Sequence, residues 1–180
     1  MGTVAGLVLA AGEGRRFGGP KAPVVIDGER LVDRAVRVLR AGGCHPVYVV
    51  LGAWQGDVVD AVVVMNPEWP EGMGSSLRVG LEAVAVTEGV DRVVVTLVDL
   101  PGLTGEAVAR LASSPARIAA AAYAGERGHP VMLGVEHFAG AAAAARGDAG
   151  ARDYLRAHAD EVALVEVGDV ASGEDLDAPP

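Results

Sequence analysis

Cysteine is almost absent from this 180-residue chain, in which Cys44 is the only thiol. A single cysteine excludes a disulfide framework and any metal site built from several thiolates. Residues 1–3 carry no basic side chain, and the apolar run from Val4 to Ala11 is too short to cross a membrane. That run ends in glycines and arginines rather than in a cleavage site, so we expect a buried strand. These features predict a cytoplasmic protein with no membrane partner.

Aromatic side chains are also scarce, at 4% of a chain that is 51% hydrophobic. The core is therefore expected to be aliphatic, built from Val, Ala and Leu. Positively charged residues are also few: the chain has 15 Lys and Arg residues and 24 Asp and Glu residues, which give a net charge of −9. Since a nucleic-acid backbone selects a basic face, we expect no nucleic-acid partner.

Lysine and asparagine each occur once, as Lys21 and Asn66, and every other basic residue is arginine. A site that needs a compact ammonium cannot accept a guanidinium, because the two groups differ in geometry, hydration and volume. We therefore expect Lys21 to have a specific role. For Asn66, which ends a predicted strand, the simplest interpretation is that it closes a turn before Pro67.

Apolar runs of strand length alternate with helical patterns along the whole chain. The predicted strands are Val4–Leu9, Val47–Leu51, Ala61–Met65, Arg92–Val98, Ile118–Tyr123, Pro130–Leu133 and Val162–Val167, with a short extended piece at Val24–Ile26 before an Asp27-Gly28 turn. The predicted helices begin at Leu31, Ser75, Gly105 (capped by Thr104), Glu136 and Ala149, and the last two run to Arg146 and His158. This alternation predicts one α/β domain over residues 1–180, with a mainly parallel sheet covered on both faces. Ligands of such sheets bind at the carboxyl ends of the strands.

A glycine-rich loop follows the first predicted strand and reads LAAGEGRRFGGPK from Leu9 to Lys21. Its glycines let backbone amides turn toward an anion, and Arg15, Arg16 and Lys21 add three cations. The loop is therefore predicted to hold a polyphosphate. The alternative is a surface turn in which the arginines occur by chance.

Two other phosphate motifs fit this loop less well. A Walker loop needs Ser or Thr after its lysine, whereas Ala22 follows Lys21. The spacing G-x-G-x-x-x-G from Gly12 to Gly18 is closer to a dinucleotide fold. That fold usually ends its second strand with a carboxylate for the ribose, and here the strand ends Leu51-Gly52-Ala53. An NAD(P)-dependent oxidoreductase stays open as an alternative.

The loop LAAGEGRRFGGPK resembles the signature loop of MobA-like nucleotidyltransferases, most closely the molybdenum cofactor cytidylyltransferases. Five further segments resemble the family in the same order: NPEWPEGMGSSLRVGL, LVDLPGLT, GHPVML, RGDAGARDYL and DLDAPP. The resemblance implies a three-layer sandwich of the nucleotide-diphospho-sugar transferase type. It also implies that the first loop binds a triphosphate, with Arg16 and Lys21 stabilising charge as pyrophosphate departs.

The resemblance together with the residue chemistry defines a candidate site. The predicted nucleotide-binding residues are Leu9, Ala10, Ala11, Gly12, Glu13, Gly14, Arg15, Arg16, Lys21, Gly74, Ser76 and Asp99, of which Arg16, Lys21 and Asp99 are assigned to catalysis. Asp99 follows the most apolar strand, where a buried carboxylate needs a cation or a donor, and Mg²⁺ suits that position. The alternative is that Asp99 caps the turn before Leu100-Pro101.

The remaining assignments come from the resemblance. Asp177 matches the second metal ligand, although Ala178 and Pro180 depart from the family pattern, and the alternative is a solvated acidic tail. Ser76 is expected beside the base, with an ordinary helix cap by Ser75 as the alternative. His129 is expected on the acceptor side, with a structural role as the alternative.

These assignments predict transfer of an NMP unit, favoured as CMP from CTP, to a phosphorylated small molecule, favoured as molybdopterin, with Mg²⁺ and release of pyrophosphate. Ala11 favours CTP, because the guanylyl branch more often reads LAGG than LAAG. Alternatives are GTP or another NTP, another phosphorylated acceptor, or a nucleotide-binding relative without turnover. The resemblance also suggests a molybdoenzyme or its maturation chaperone as a partner.

Overall fold

A seven-stranded mixed sheet forms the centre of the computed structural model, which describes residues 2–180; residue 1 of the predicted domain lies outside them. The strands are β1 (Thr3–Leu9), β2 (Val25–Ile26), β3 (Glu29–Arg30), β4 (Val47–Leu51), β5 (Val62–Met65), β6 (Val90–Leu97), β7 (Ile118–Tyr123), β8 (Glu126–Gly134) and β9 (Val162–Glu166). In the large sheet the strand order is β5-β4-β1-β6-β8-β7-β9, and β2 pairs only with β3.

Most strand pairs in the large sheet are parallel. The β1–β4, β1–β6, β4–β5 and β7–β9 pairs are parallel, whereas β8 runs antiparallel to both β6 and β7. This arrangement confirms the predicted mainly parallel sheet. It also places the ends of β1 and β6 side by side, with Leu9 opposite Leu97.

Helices cover both faces of the sheet, as predicted. They are α1 (Leu31–Ala41), α2 (Met73–Ala85), α3 (Gly105–Ala112), α4 (Val135–Ala144) and α5 (Arg152–Ala157), with a short 3₁₀ turn at Trp69–Glu71. Helices α1 and α3 pack on one face, and α2, α4 and α5 on the other, each over an aliphatic core. The chain is thus a three-layer α/β/α sandwich, and none of its described helices is long and apolar enough to span a membrane.

Local contacts explain how closely α2 packs on the sheet and where α3 begins. Gly80 brings α2 close to the sheet, because a Cβ atom there would lie 2.7 Å from Leu7 Cδ1 on β1. Thr104 caps α3 as predicted, since its Oγ1 accepts a hydrogen bond of 3.2 Å from the amide of Ala107.

Several predicted boundaries were wrong; β6 and α2, for example, each begin two residues before the predicted start. Strand β8 begins at Glu126 rather than Pro130, because Ala124 and Gly125 form a left-handed turn that pairs Tyr123 directly with Glu126. Helix α4 ends at Ala144, and α5 begins only at Arg152, so a loop replaces the predicted start of the last helix. This loop packs on the start of α2, where Gly74 N donates a 2.7 Å hydrogen bond to Gly147 O.

Candidate active site

The glycine-rich loop leaves the sheet between two neighbouring strands. Backbone hydrogen bonds hold the end of β1 in place, from Ala10 N to Val50 O (3.0 Å) and from Val98 N to Leu9 O (3.2 Å). The loop then closes on Gly14, whose carbonyl oxygen accepts from the amides of both Gly18 and Gly19. The loop is consequently fixed at the carboxyl edge of the sheet, where the sequence predicted it.

Glycine is required at position 14 of this loop. Its φ is +62°, and a Cβ atom there would lie 1.9 Å from the carbonyl oxygen of Gly19. Any larger residue would therefore open the turn that brings the chain back toward Lys21. The loop backbone therefore forms a compact turn closed on Gly14.

At the carboxyl edge of the sheet, Lys21, the only lysine, forms an ion pair with Asp99, the predicted metal ligand. Lys21 Nζ donates a 2.7 Å hydrogen bond to Asp99 Oδ2, with side-chain exposures of only 20% and 19%. The Phe17 ring lies 5.7 Å from the same ammonium, so the cation is held from two sides. Asp99 is thus paired with a cation from the glycine-rich loop, a contact that the turn-capping alternative does not account for.

The C-terminal segment packs beside Asp99. The amide of Leu176 donates a 2.9 Å hydrogen bond to the Asp99 carbonyl oxygen, so Asp175 and Asp177 flank this attachment point. Partial burial raises the pKa of the Asp175 carboxyl, the carboxylates of Asp99 and Asp177 raise it further, and Lys21 lowers it. The acidic tail therefore lies beside Asp99, and Asp175, which the sequence analysis did not select, is near enough for the charges of Asp99, Asp177 and Lys21 to change its pKa.

These carboxylates can hold a divalent metal only with help from a ligand. Across residues 2–180, no three His, Cys, Asp or Glu side chains gather closely enough to bind a metal ion alone. Magnesium, however, is typically bound through one or two carboxylates plus substrate phosphates. Asp99 at the edge of the phosphate loop fits that donor set, with Asp177 or Asp175 as the second carboxylate.

A cavity of about 330 Å³ opens between the phosphate loop and the start of α2. Several predicted nucleotide-binding residues line it, namely Leu9, Ala11, Gly12, Glu13, Arg15 and Ser76. Sequence reasoning missed Trp69, Pro70, Gly72, Met73 and Asp148 on its wall. A planar base in this cavity would have an aromatic neighbour in Trp69.

The other predicted residues lie outside the cavity wall. Lys21 and Asp99 form the ion pair described above, Ala10 is buried at the end of β1, and Arg16 is exposed on the loop. Gly74 supports the site indirectly, because a Cβ atom there would lie 2.6 Å from Arg146 N.

A buried asparagine positions Ser76 of this cavity and its neighbour Ser75. Asn66 is fully buried, and its Nδ2 donates to Ser75 Oγ (2.9 Å) and Ser76 Oγ (3.0 Å), while its Oδ1 accepts from Glu68 N (3.0 Å). Because Ser76 Oγ accepts from Asn66, its own proton is available to a ligand. Gly72, rather than Ser75, is the N-cap of α2. Asn66 thus closes the predicted turn and also orients the serines, which the sequence analysis did not foresee.

His129 lies in a second cavity, of about 270 Å³, that shares Met73 and Asp148 with the first. Burial lowers the pKa of His129, the Asp99 carboxylate raises it, and Arg127 lowers it again. The structure places His129 between the Asp99 region and a separate compartment.

Together, the fold and this site define a three-layer α/β protein with a cationic, glycine-rich loop beside a strand-end carboxylate. The family model for the MobA-like NTP transferase domain matches residues 6–162, and the chain belongs to that family.

Two curated relatives carry different names. Nicotine blue oxidoreductase of Paenarthrobacter nicotinovorans is 40% identical over 190 residues, covering 97% of this chain and 92% of the relative. A probable molybdenum cofactor guanylyltransferase of Opitutus terrae is 39% identical, over 56% of this chain and 50% of the relative. The chain thus matches only half the length of the guanylyltransferase but nearly all of the oxidoreductase.

Solved structures match the fold along almost the whole chain. A homologue of Mycobacterium tuberculosis Rv0371c from Mycobacterium sp. strain JC1 has a TM-score of 0.78 and 29% identity, covering 97% of this chain and 90% of that one. Rv0371c from M. tuberculosis H37Rv, crystallised with manganese, has a TM-score of 0.74 and 25% identity, with coverage of 97% and 94%. These matches confirm the expected nucleotide-diphospho-sugar transferase-like fold.

The geometry predicts a structural role for the Asn66 side chain. Replacing Asn66 by alanine leaves the serine hydroxyls without their buried donor, so the free energy of unfolding should fall by roughly 1–3 kcal/mol. Chemical denaturation measures this change. Gln55→Ala is the matched control, because it removes an exposed carboxamide with one long hydrogen bond of 3.4 Å. Equal stability of the two variants would contradict the assigned role of Asn66.

Proposed function

We propose that this chain transfers an NMP unit, favoured as CMP from CTP, to a phosphorylated small molecule, favoured as molybdopterin, and releases pyrophosphate. The observation that carries the proposal is the Lys21–Asp99 ion pair at the junction of the phosphate loop and β6. It joins a compact positive charge, suited to phosphate oxygens, to a carboxylate suited to a divalent metal. Membership of the MobA-like NTP transferase family supports the nucleoside triphosphate as substrate.

The loop residues would bind and orient the triphosphate. Amides from Gly12 to Gly14 face the phosphates, and Arg16 and Lys21 neutralise the charge that develops as pyrophosphate leaves. Ser76 donates its free proton to the base or ribose in the first cavity. The protein's contribution is positioning and charge stabilisation rather than covalent chemistry.

Asp99 and Asp177 would hold Mg²⁺, with Asp175 close enough to share that role. When bound, the metal supplies Lewis-acid stabilisation of the phosphate oxygens. The manganese in the related Rv0371c crystal supports a divalent ion in this family. Lys21 then exchanges its contact with Asp99 for one with the triphosphate. No general base is needed, because the acceptor's phosphate is already an anion when it attacks the α-phosphorus.

A second function is supported by one specific observation. The relative named nicotine blue oxidoreductase shares 40% identity over 97% of this chain. An oxidoreductase of this fold would place a reduced nicotinamide dinucleotide across the two adjoining cavities. The absence of a carboxylate after β4, which ends Leu51-Gly52-Ala53, weighs against this alternative.

The relative affinities for CTP, GTP and NADPH distinguish the transferase from the oxidoreductase. Ala11 lies on the wall of the first cavity and is 4% exposed, and its methyl group is the feature that favours CTP over GTP. We expect CTP with magnesium to bind more tightly than GTP, ATP or NADPH in calorimetric titrations. A tighter complex with GTP, in line with the names of several relatives, would reject the cytidylyl assignment. A tighter complex with NADPH would favour the oxidoreductase.

Turnover should depend on the shape of the Lys21 head group. Lys21→Arg keeps the charge but brings a larger, planar group into the contact with Asp99, so we expect turnover to fall at least about ten-fold. The assay is pyrophosphate release with CTP, saturating magnesium and molybdopterin. Arg110→Lys is the matched control, because Arg110 pairs with Glu106 and Asp169 on the protein surface, away from the loop.

Three results would count against this account. Wild-type turnover in Lys21→Arg would show that head-group geometry at position 21 is irrelevant. Loss of folding in that variant, seen as a lower melting temperature, would favour a structural role for the ion pair. Absence of pyrophosphate release by the wild type with every NTP would reject the transferase proposal itself.

A further inference from the structure

One edge of the large sheet is apolar and lacks the usual protection. Strand β5 is the last strand on that side and pairs only with β4. Of the eight large hydrophobic side chains that are exposed within residues 2–180, four lie in this segment, namely Val59, Val62, Val63 and Met65. Residues 61–65 contain neither proline nor a charged side chain, the features that commonly keep an edge strand from pairing with another chain. The β5 edge is therefore open to a further strand.

The outward-facing backbone groups of this edge follow from the pairing of β5 with β4. Asn66 N donates a 2.8 Å hydrogen bond to Leu51 O, which continues the parallel register of the two strands. Alternate residues of a strand direct both their N–H and C=O groups to the same neighbour. Val64, like Asn66, therefore faces β4, whereas Val63 and Met65 direct their groups away from the sheet. Outside the sheet, residues 2–180 offer these outward groups no backbone partner.

The outward groups would match those of a second copy related by a two-fold axis at Val63. In an antiparallel pair, opposite residues exchange two hydrogen bonds when both direct their groups across the gap. With Val63 opposite its own copy, Ala61, the residue before β5, would lie opposite Met65 of the other chain. Residues 61, 63 and 65 all have the outward orientation. Such an interface uses the same surface on both copies and closes as a dimer.

The two ends of β5 carry opposite charges that make few contacts within one chain. Where β5 begins, the exposed Arg40 donates only a 3.4 Å hydrogen bond to the carbonyl oxygen of Asp60 and forms no salt bridge within residues 2–180. Beyond the other end, Glu68 is 58% exposed and lies 3.4 Å from Arg78. The two-fold would set Asp60 opposite the uncharged Asn66 of the other copy and bring that copy's Glu68 toward Arg40. Parallel pairing would instead place like charges together, so the charges favour the antiparallel arrangement.

We propose that the β5 edge binds a second copy of this chain, with the two β5 strands antiparallel about a two-fold axis at Val63. Backbone hydrogen bonds set the register, the exposed valines and Met65 pack across the axis, and Arg40 pairs with Glu68 of the other copy. Strands of four residues bury less surface than the roughly 800 Å² per partner of stable complexes, so the dimer is weak and depends on concentration. The inference goes beyond the proposed function, because none of these residues lines either cavity of the candidate site.

Sedimentation velocity of the full chain measures the dimer directly. We expect a monomer–dimer equilibrium with a micromolar dissociation constant at about 0.15 M salt, which screens the charge of −9 on each copy. Val63→Lys places two like charges opposite each other at the axis and should weaken dimerisation at least about ten-fold. Leu164→Lys is the matched control, because Leu164 is exposed on β9, the opposite edge of the sheet, and should leave the equilibrium unchanged.

A charge exchange tests the arrangement of the two strands. Arg40→Glu and Glu68→Arg should each weaken dimerisation, and the double variant should restore it, because each new charge again meets an opposite one. Amide hydrogen exchange tests the register. The Val63 amide should exchange more slowly at high protein concentration, whereas the Val64 amide, which is bonded to β4, should not change. Melting temperatures show whether each variant is folded, and the charge-exchange variants decide the matter if Val63→Lys is not.

Four results would overturn the inference. They are a wild type that stays monomeric up to millimolar concentration, a dimer that a folded Val63→Lys leaves intact, a double variant that does not regain dimerisation, and a Val63 amide whose exchange is independent of concentration. The inference is supported if the wild type dimerises, if Val63→Lys but not Leu164→Lys disrupts the dimer, and if the charge exchange restores it.

Discussion

Parallel pairing of β1 with β6 is the constraint on which the candidate site depends. Leu9 lies opposite Leu97, so both strands end at the same edge of the sheet. The loop after β1 and the carboxylate after β6 consequently meet, although Lys21 and Asp99 are 78 residues apart in sequence. Antiparallel pairing would have sent the two segments to opposite edges, and no ion pair would form.

The ion pair sets the electrostatics of this edge. In an acidic chain, Lys21 offsets a carboxylate at a partly buried position, where an unpaired charge would be costly. The same ammonium lies beside a loop whose amides suit phosphate oxygens. In the proposed function, Lys21 would have two anionic partners, the Asp99 carboxylate and the triphosphate, and a cation bound at Asp99 would shift it from the first to the second. A single side chain would then couple the metal position to the triphosphate position.

Much of this arrangement was predictable because the physical signals are local. Continuous apolar runs such as Val93–Val95 mark buried strands, and clustered glycines beside cations mark a phosphate loop. Lys21 was identified by composition alone, as the single lysine among arginines. The other site residues were predicted from six sequence motifs, which occur in the same order as in the MobA-like family.

Other parts of the site depend on tertiary contacts that leave no periodic signal. Asp148, on the wall of the first cavity, lies in the loop between α4 and α5, next to the position where the sequence predicted a helix to begin. The tail carried four acidic residues, and only the Leu176–Asp99 backbone contact reveals which of them approach the site. Asn66 could be placed at a turn from its sequence, but its bonds to two serines required the fold.

The most direct test of the central claim uses the fact that Lys21 is the only lysine. Labelling lysine with ¹⁵N at Nζ gives one side-chain ammonium signal, which reports this contact alone. The account predicts a protected ammonium signal in the ligand-free protein that shifts in Asp99→Asn and shifts again when CTP and magnesium are added to the wild type. An ammonium signal that is identical in wild type and Asp99→Asn, and does not move on addition of CTP and magnesium, would contradict the account.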